Sequence, residues 1–291
     1  MTDELRFNPD GLGKRTEPVR FEVTRERLQQ YAAATNDPIP AHRDGAIAGP
    51  VFAIVPVFHS LMEPVLEVVP PQLIGKIVHG EQDFRFHRPI RPGDVLLAQA
   101  EMTGWQALDK GTRACVAVET RTQDGELVNE QFVTFFVRDF VDGSPGDKRG
   151  ELAPGHKFDD ALRAPGPVAK VRQRVDEDQT YRYSEASGDP MPIHLDEEFA
   201  KSMGLPGIIA HGMCTMAFTS WAVLTEVAGS DVTRLKRLAV RFAKPVLPGQ
   251  ELSTHIYRAG SADGVATYAY ETAVGDELVI TDGLAEVSEG A

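Results

Sequence analysis

The sequence predicts an α+β chain built as two tandem copies of one module, each a long apolar helix followed by an antiparallel sheet. Three observations lead there. First, residues 31–44 align without a gap to residues 183–196, every position displaced by 152, so that Asp37-Pro38-Ile39-Pro40-Ala41-His42 stands over Asp189-Pro190-Met191-Pro192-Ile193-His194. Second, Arg85-Phe86-His87-Arg88-Pro89-Ile90-Arg91-Pro92-Gly93 aligns with Arg241-Phe242-Ala243-Lys244-Pro245-Val246-Leu247-Pro248-Gly249. Third, residues 51–69 and 212–228 are apolar around most of a helical circumference, the pattern of a buried helix, and each precedes alternating runs broken by turn dipeptides.

Each half then reads in the same order. Thr24 and Asp176 are expected to cap short helices, and Gln179, three residues after Asp176, completes a capping-box pattern for a helix through Tyr183. The Asp-to-His loop comes next. In the second half Asp196 can cap a helix over 197–203, closed by Gly204 at the left-handed position. The first half lacks that element, Asp44 running almost directly into Gly49. After the long helix of the second half, Leu238, Val240 and Phe242 alternate with Ala239, Arg241 and Ala243, and turns are expected at Pro248-Gly249, Ala259-Gly260, Asp263-Gly264 and Gly275-Asp276. The first half repeats the meander over 77–138, turning at Pro92-Gly93, Lys110-Gly111 and Asp124-Gly125. Residues 142–169 hold four prolines and five glycines with little periodicity and read as a linker, which sets the modules at 1–141 and 170–291.

Composition narrows the function classes. Thirty basic against 43 acidic residues give a net charge of −13, which argues against non-specific binding of nucleic acid or of an anionic membrane surface. The longest apolar run, 46–58, falls short of the roughly 18 residues of a spanning helix and is broken by Gly49, Pro50 and Pro56, so no membrane segment is expected. Cys115 and Cys214 are far apart and lack a C-x-x-C partner, as reduced thiols of a cytoplasmic protein would be. The first ten residues lack the order of a signal peptide.

The chemistry concentrates between Tyr183 and Met213. Pro190 and Pro192 stiffen the loop that separates Asp189 from His194, so a carboxylate and an imidazole can be held around one water. Ala210-His211-Gly212-Met213 opens the apolar helix, whose N-terminus offers free N–H groups to an oxygen that gains negative charge. The His194-x-Asp196 spacing is that of a metal-binding pair. No further ligands converge on it in sequence and Asp196 has a capping role, so no metal is expected.

Ser187-Gly188-Asp189-Pro190-Met191-Pro192-Ile193-His194, then Ala200 on a short helix and Ile209-Ala210-His211-Gly212-Met213, resembles the signature of the MaoC-like, (R)-specific (type 2) enoyl-CoA hydratases. The resemblance implies a double hotdog, with a curved antiparallel sheet wrapped around each long helix and the two sheets pairing like subunits of a single-hotdog dimer. It also implies reversible hydration of trans-2-enoyl thioesters to (3R)-hydroxyacyl thioesters, with acyl-CoA or an acyl-carrier-protein thioester as partner and no further cofactor. A homodimer is left open. By position, the catalytic pair falls on Asp189 and His194, and the Gly whose N–H polarises the thioester carbonyl falls on Gly212. The family's Asn two residues after the Asp is here Met191. An acyl-CoA thioesterase on the same fold, or a non-catalytic acyl-binding subunit, are the rival readings. Arg241, Lys244, Arg85 and Arg88, around the repeated Pro-Gly turn, are the local positive charge that CoA phosphates require. The first half keeps Asp37 and His42 but has no His-Gly before its helix, where Phe52-Ala53-Ile54-Val55 stands, so it is read as a degenerate site.

Overall fold

The computed structural model describes residues 5–290. In chain order it contains β1 (Val19–Glu22), α1 (Arg25–Ala34), α2 (Pro40–Arg43), α3 (Phe58–Val68), β2 (Ile77–Phe86), β3 (Val95–Leu108), β4 (Gly111–Thr122), β5 (Leu127–Arg138), β6 (Lys148–Gly150), β7 (Ala169–Arg174), α4 (Gln179–Ser187), α5 (Glu197–Ser202), α6 (Gly212–Val227), β8 (Leu235–Phe242), β9 (Glu251–Ala262), β10 (Val265–Val274) and β11 (Glu277–Ser288). The chain divides into two compact units. The first takes the described residues up to Phe21 with Pro56–Phe84 and Val95–Gly155, and the second takes Glu22–Val55, Arg85–Asp94 and the described residues from His156 onward. The N-terminal copy of the repeated loop therefore lies in the same unit as the C-terminal copy.

In the first unit the strands run in the order β1-β3-β4-β5-β2, with β6 added to β3. The pairs β3–β4 and β4–β5 are antiparallel. α3 lies on β3 and β4 and buries Leu61, Pro64, Val65 and Val68. The expected long helix over 51–69 is not one α-helix: Pro50–Val57 is a 3-10 helix and the α-helix begins only at Phe58. Pro56, inside the 3-10 stretch, has no N–H to give to an α-helical carbonyl at Phe52, and Pro64 is carried inside α3. The helical stretch 50–68 has the length and apolarity of a membrane span, beyond what the apolar run alone suggested, and 67% of its most apolar window is buried inside the protein.

In the second unit the order is β8-β11-β10-β9-β7, every neighbour antiparallel. α6 packs on β7, β8, β9 and β11 and buries Met213, Cys214, Met216, Phe218, Val223 and Leu224. Asp263 and Gly264 take the left-handed conformations that a two-residue hairpin loop demands. Ala259-Gly260 is not a turn. It lies inside β9, where the register slips between Thr267 and Tyr268, so the dipeptide marks a bulge. Lys110-Gly111 is likewise shifted: Leu108 pairs with Gly111, so Asp109-Lys110 is the loop. The second part of the linker is pinned to this unit by Phe158, which sits edge-on against Tyr257, and by the Arg163–Glu271 pair.

Residues 22–55 join this unit through α1 and α4. Tyr31 and Tyr183, equivalent positions of the repeat, bring their hydroxyls within 3.2 Å in the buried interior. The contact thus joins equivalent positions of α1 and α4. Around it, Arg182 donates to Ala33 O at 2.8 Å and Trp221 Nε1 donates to Thr35 O at 3.1 Å. Asp176 is drawn into the same contact. Its carboxylate accepts from Asn36 Nδ2 (3.0 Å) and Arg182 (2.7 Å) instead of capping α4, and only the reciprocal half of the capping box forms, Asp176 N donating to Gln179 Oε1 at 3.1 Å. Thr24 and Asp196 do cap α1 and α5, accepting from Arg27 N and Phe199 N.

Candidate active site

α4 delivers Asp189. The helix ends on Gly188 in the left-handed conformation (φ 78°), open to glycine at little steric cost, and the chain leaves it directly into the loop. The loop is tied by side-chain-to-backbone hydrogen bonds. Ser184 Oγ donates to Asp189 O (2.7 Å), Asp189 N donates to Ser187 Oγ (3.3 Å), and Asp189 Oδ1 accepts from Met191 N at 3.1 Å. One carboxylate oxygen is thus spent on an Asx turn, and Oδ2 is left for chemistry. Met191, at the position of the family's Asn, is 49% exposed and contributes its N–H to that turn.

A 3-10 turn over Pro192–His194 carries the imidazole inward, where it is buried. His194 Nδ1 lies 2.8 Å from Ile209 O. A carbonyl only accepts, so Nδ1 holds the proton and Nε2 presents a lone pair. Burial pushes the His194 pKa down and keeps the ring neutral, opposed by the Ile209 carbonyl and the Asp189 charge. Burial raises the Asp189 pKa, opposed by His194 and by the Met191 N–H. The result is a neutral base beside a carboxylate of heightened basicity.

His211 and Gly212 complete the cluster at the head of α6. His211, placed by the sequence only at the start of the apolar helix, stacks on His194 with ring centroids 3.7 Å apart and planes inclined by 25°. It also packs against Tyr183 at 4.9 Å, and its Nε2 lies 3.2 Å from Asp189 O. Burial, then the neighbouring His194, depress its pKa to about 2. Gly212 is the first residue of α6; no hydrogen bond from its N–H appears among those of the described residues. A Cβ at Gly212 would come within 3.3 Å of the Phe242 ring. Asp189, His194 and His211 place one donor atom each within 4.8 Å of the others, a set compact enough for a cation. That distance equally suits one water bridging two groups by hydrogen bonds of about 2.8 Å.

The first-half copy is closed. His42 Nδ1 bonds directly to Asp37 Oδ2 at 2.7 Å, both side chains are buried, and Asp37 Oδ1 accepts from Ile39 N. Backbone hydrogen bonds align the segments beyond the two loops. Ile47 N donates to Ala41 O as Ile209 N donates to Ile193 O, and Ala48 N donates to Ile90 O as Ala210 N donates to Val246 O. Gly49-Pro50 therefore occupies the place of His211-Gly212, and the expectation that residues 52–55 stand there is corrected. The offset has grown from 152 to 162 because α5 and its flanks intervene only in the second half. Proline has no N–H, and glycine has no side chain to stack on an imidazole.

Of the four cations, Arg88 is engaged at its own turn, bidentate with Asp94 (2.9 and 3.0 Å) and donating to Pro89 O. Arg241 faces Asp282 at 3.8 Å and Lys244 faces Glu277 at 3.1 Å, both roughly half exposed. Arg85 is partly buried on β2.

Comparison with known proteins agrees with this architecture. The MaoC like domain model matches residues 162–278, and a FAS1-like, dehydratase domain region matches 11–131. A 3-hydroxyacyl-thioester dehydratase Y of Mycobacterium tuberculosis is 31% identical, over 98% of this chain and all of that protein. The solved MaoC-like dehydratase of Phytophthora capsici superposes with a TM-score of 0.82 at 23% identity, covering 98% of this chain and 100% of that one. A second Mycobacterium tuberculosis protein, described as a double hotdog fold, superposes at 0.62 with 14% identity, covering 95% and 96%. With a full-length relative and both halves matched to dehydratase models, the chain belongs to the MaoC-like dehydratase family and has its double-hotdog, α+β fold.

Proposed function

We propose that this protein catalyses the reversible hydration of trans-2-enoyl thioesters to (3R)-hydroxyacyl thioesters, on acyl-CoA or an acyl-carrier-protein thioester, through Asp189, His194 and Gly212. The observation that carries the reading is the open pair: His194 is turned by the Ile209 carbonyl so that its lone pair and the Asp189 carboxylate can share one water. In the hydration direction the pair removes a proton from that water as its oxygen bonds to Cβ. Electron density moves to the thioester oxygen, where the Gly212 N–H and the positive end of α6 stabilise it. The proton held by the pair then returns to Cα, so the sum is addition of H and OH. The Nδ1-protonated tautomer makes His194 Nε2 the first acceptor, with Asp189 stabilising the imidazolium that results. Arg241 and Lys244 are assigned to the anionic carrier, since both side chains are roughly half exposed beside the Pro-Gly turn. Arg88, committed to Asp94, is assigned to the turn.

The test is direct. Purified protein is given trans-2-enoyl-CoA, and loss of the enoyl absorbance is followed together with free thiol release. Loss of absorbance without thiol, giving the (3R) product on chiral analysis, is expected. Thiol release would replace this reading with thioester hydrolysis, and binding without any absorbance change would leave only an acyl-binding subunit.

A further inference from the structure

We infer that His211 is a positioning residue that holds the catalytic pair apart, and that without it His194 would turn onto Asp189. The inference rests on the hydratase reading and on a comparison the molecule makes with itself. In the copy that has Gly49 where His211 stands, the imidazole has swung onto its carboxylate, His42 Nδ1 to Asp37 Oδ2 at 2.7 Å. Gly49 abuts that closed pair: a Cβ there would lie 3.2 Å from Asp37 Oδ2 and 3.4 Å from His42 Nδ1. In the copy that has His211, the imidazole donates instead to Ile209 O, although Asp189 lies as near in sequence.

The geometry gives His211 two grips. Its ring covers one face of His194, and its Nε2–H donates to the Asp189 main-chain carbonyl, so a single side chain sets both members of the pair. Tyr183 backs the ring from α4, itself braced by Tyr31. His211 Nδ1 is buried and has no hydrogen-bond partner among the described residues. An orphaned acceptor is unfavourable, and an aliphatic side chain would avoid it. The imidazole is therefore present for its stacking face and its Nε2 donor.

The groups facing His194 are Asp189 on its own loop, the Ile209 carbonyl, His211 at the head of α6, and Tyr183 behind His211. Removing His211 hydrates His194 and lets it pair with the carboxylate, and both changes raise its pKa. His194 works as a neutral base, so activity disappears as pH falls through that pKa. A higher pKa moves the acid limb of the kcat profile to higher pH.

The experiment compares wild type, His211→Ala, His211→Gln and the control Asp189→Asn on one enoyl-CoA, with folding checked by Tm. We expect His211→Ala to lose about 10²-fold in kcat, the scale of a misplaced catalytic group, with KM little changed and the acid limb moved upward. His211→Gln, whose amide N–H can still reach Asp189 O, should recover part of the loss. Labelled-imidazole NMR should show His194 Nδ1–H shifted to the carboxylate-bonded form in His211→Ala. The inference is overturned if folded Ala and Gln variants retain wild-type kcat, or if both lose activity with the acid limb and the His194 resonance unmoved. Those results, with wild type active and Asp189→Asn inactive, leave the hydratase reading standing; an inactive wild type would remove both.

Discussion

At the scale of single residues, the site depends on where one imidazole proton points. His194 and His42 stand at equivalent positions of the repeat, each five residues after an Asp across two prolines. One donates to a main-chain carbonyl and keeps the lone pair of its other nitrogen; the other is paired with its own carboxylate. Burial lowers the His194 pKa and favours its neutral form, the form the proposed base needs. Asp189→Asn and His194→Ala should each lower hydration by roughly 10²-fold or more, the usual scale of lost acid–base help. Initial rates on folded protein check this, and near-normal turnover by either variant would remove that residue from the mechanism.

At the scale of elements, two helix ends build the site. α4 stops on Gly188 and releases Asp189; α6 starts on Gly212, whose N–H we assign to the thioester oxygen. The donor role can be separated from the shape. Proline suits the first position of a helix, and His211 already has the extended backbone (φ −58°, ψ 136°) that a following proline requires. Gly212→Pro should therefore fold and lose roughly 10²- to 10³-fold in kcat, the range for a deleted oxyanion donor. Gly212→Ala keeps the N–H and only presses on Phe242 at 3.3 Å, so it should lose far less. Equal losses from the two variants would assign the effect to crowding and not to the hydrogen bond.

At the scale of the whole molecule, one sequence duplication has yielded two different products. The second copy has α5 and an N–H at its helix start, while the first opens on Gly49-Pro50 and seals its pair. Asp37→Asn and His42→Ala should leave most of the turnover intact, because Pro50 offers no N–H to a thioester oxygen. They should instead lower stability by about 1–3 kcal/mol, since each leaves a buried partner unsatisfied. Paired measurements of kcat and Tm decide the matter: a first-half double variant as inactive as Asp189→Asn, with Tm unchanged, would show that the first copy works in catalysis.

The sequence alone determined what is written in short-range patterns. The repeat, the caps at Thr24 and Asp196, the left-handed glycine after α5, the strand alternation and the Asp-to-His motif all rest on residues a few positions apart, and their local physics hardly depends on the rest of the chain. Tertiary structure decided what depends on distant partners. Asp176 left its cap for Asn36 and Arg182, and residues 22–55 packed with the second copy's helices. Pro50 took the place of Gly212 across an insertion that hid the alignment, and His194 took its proton acceptor from Ile209, fifteen residues away. Whether an imidazole donates to a carboxylate or to a main-chain carbonyl turns on which acceptor packing brings within reach, and only the packed chain sets that.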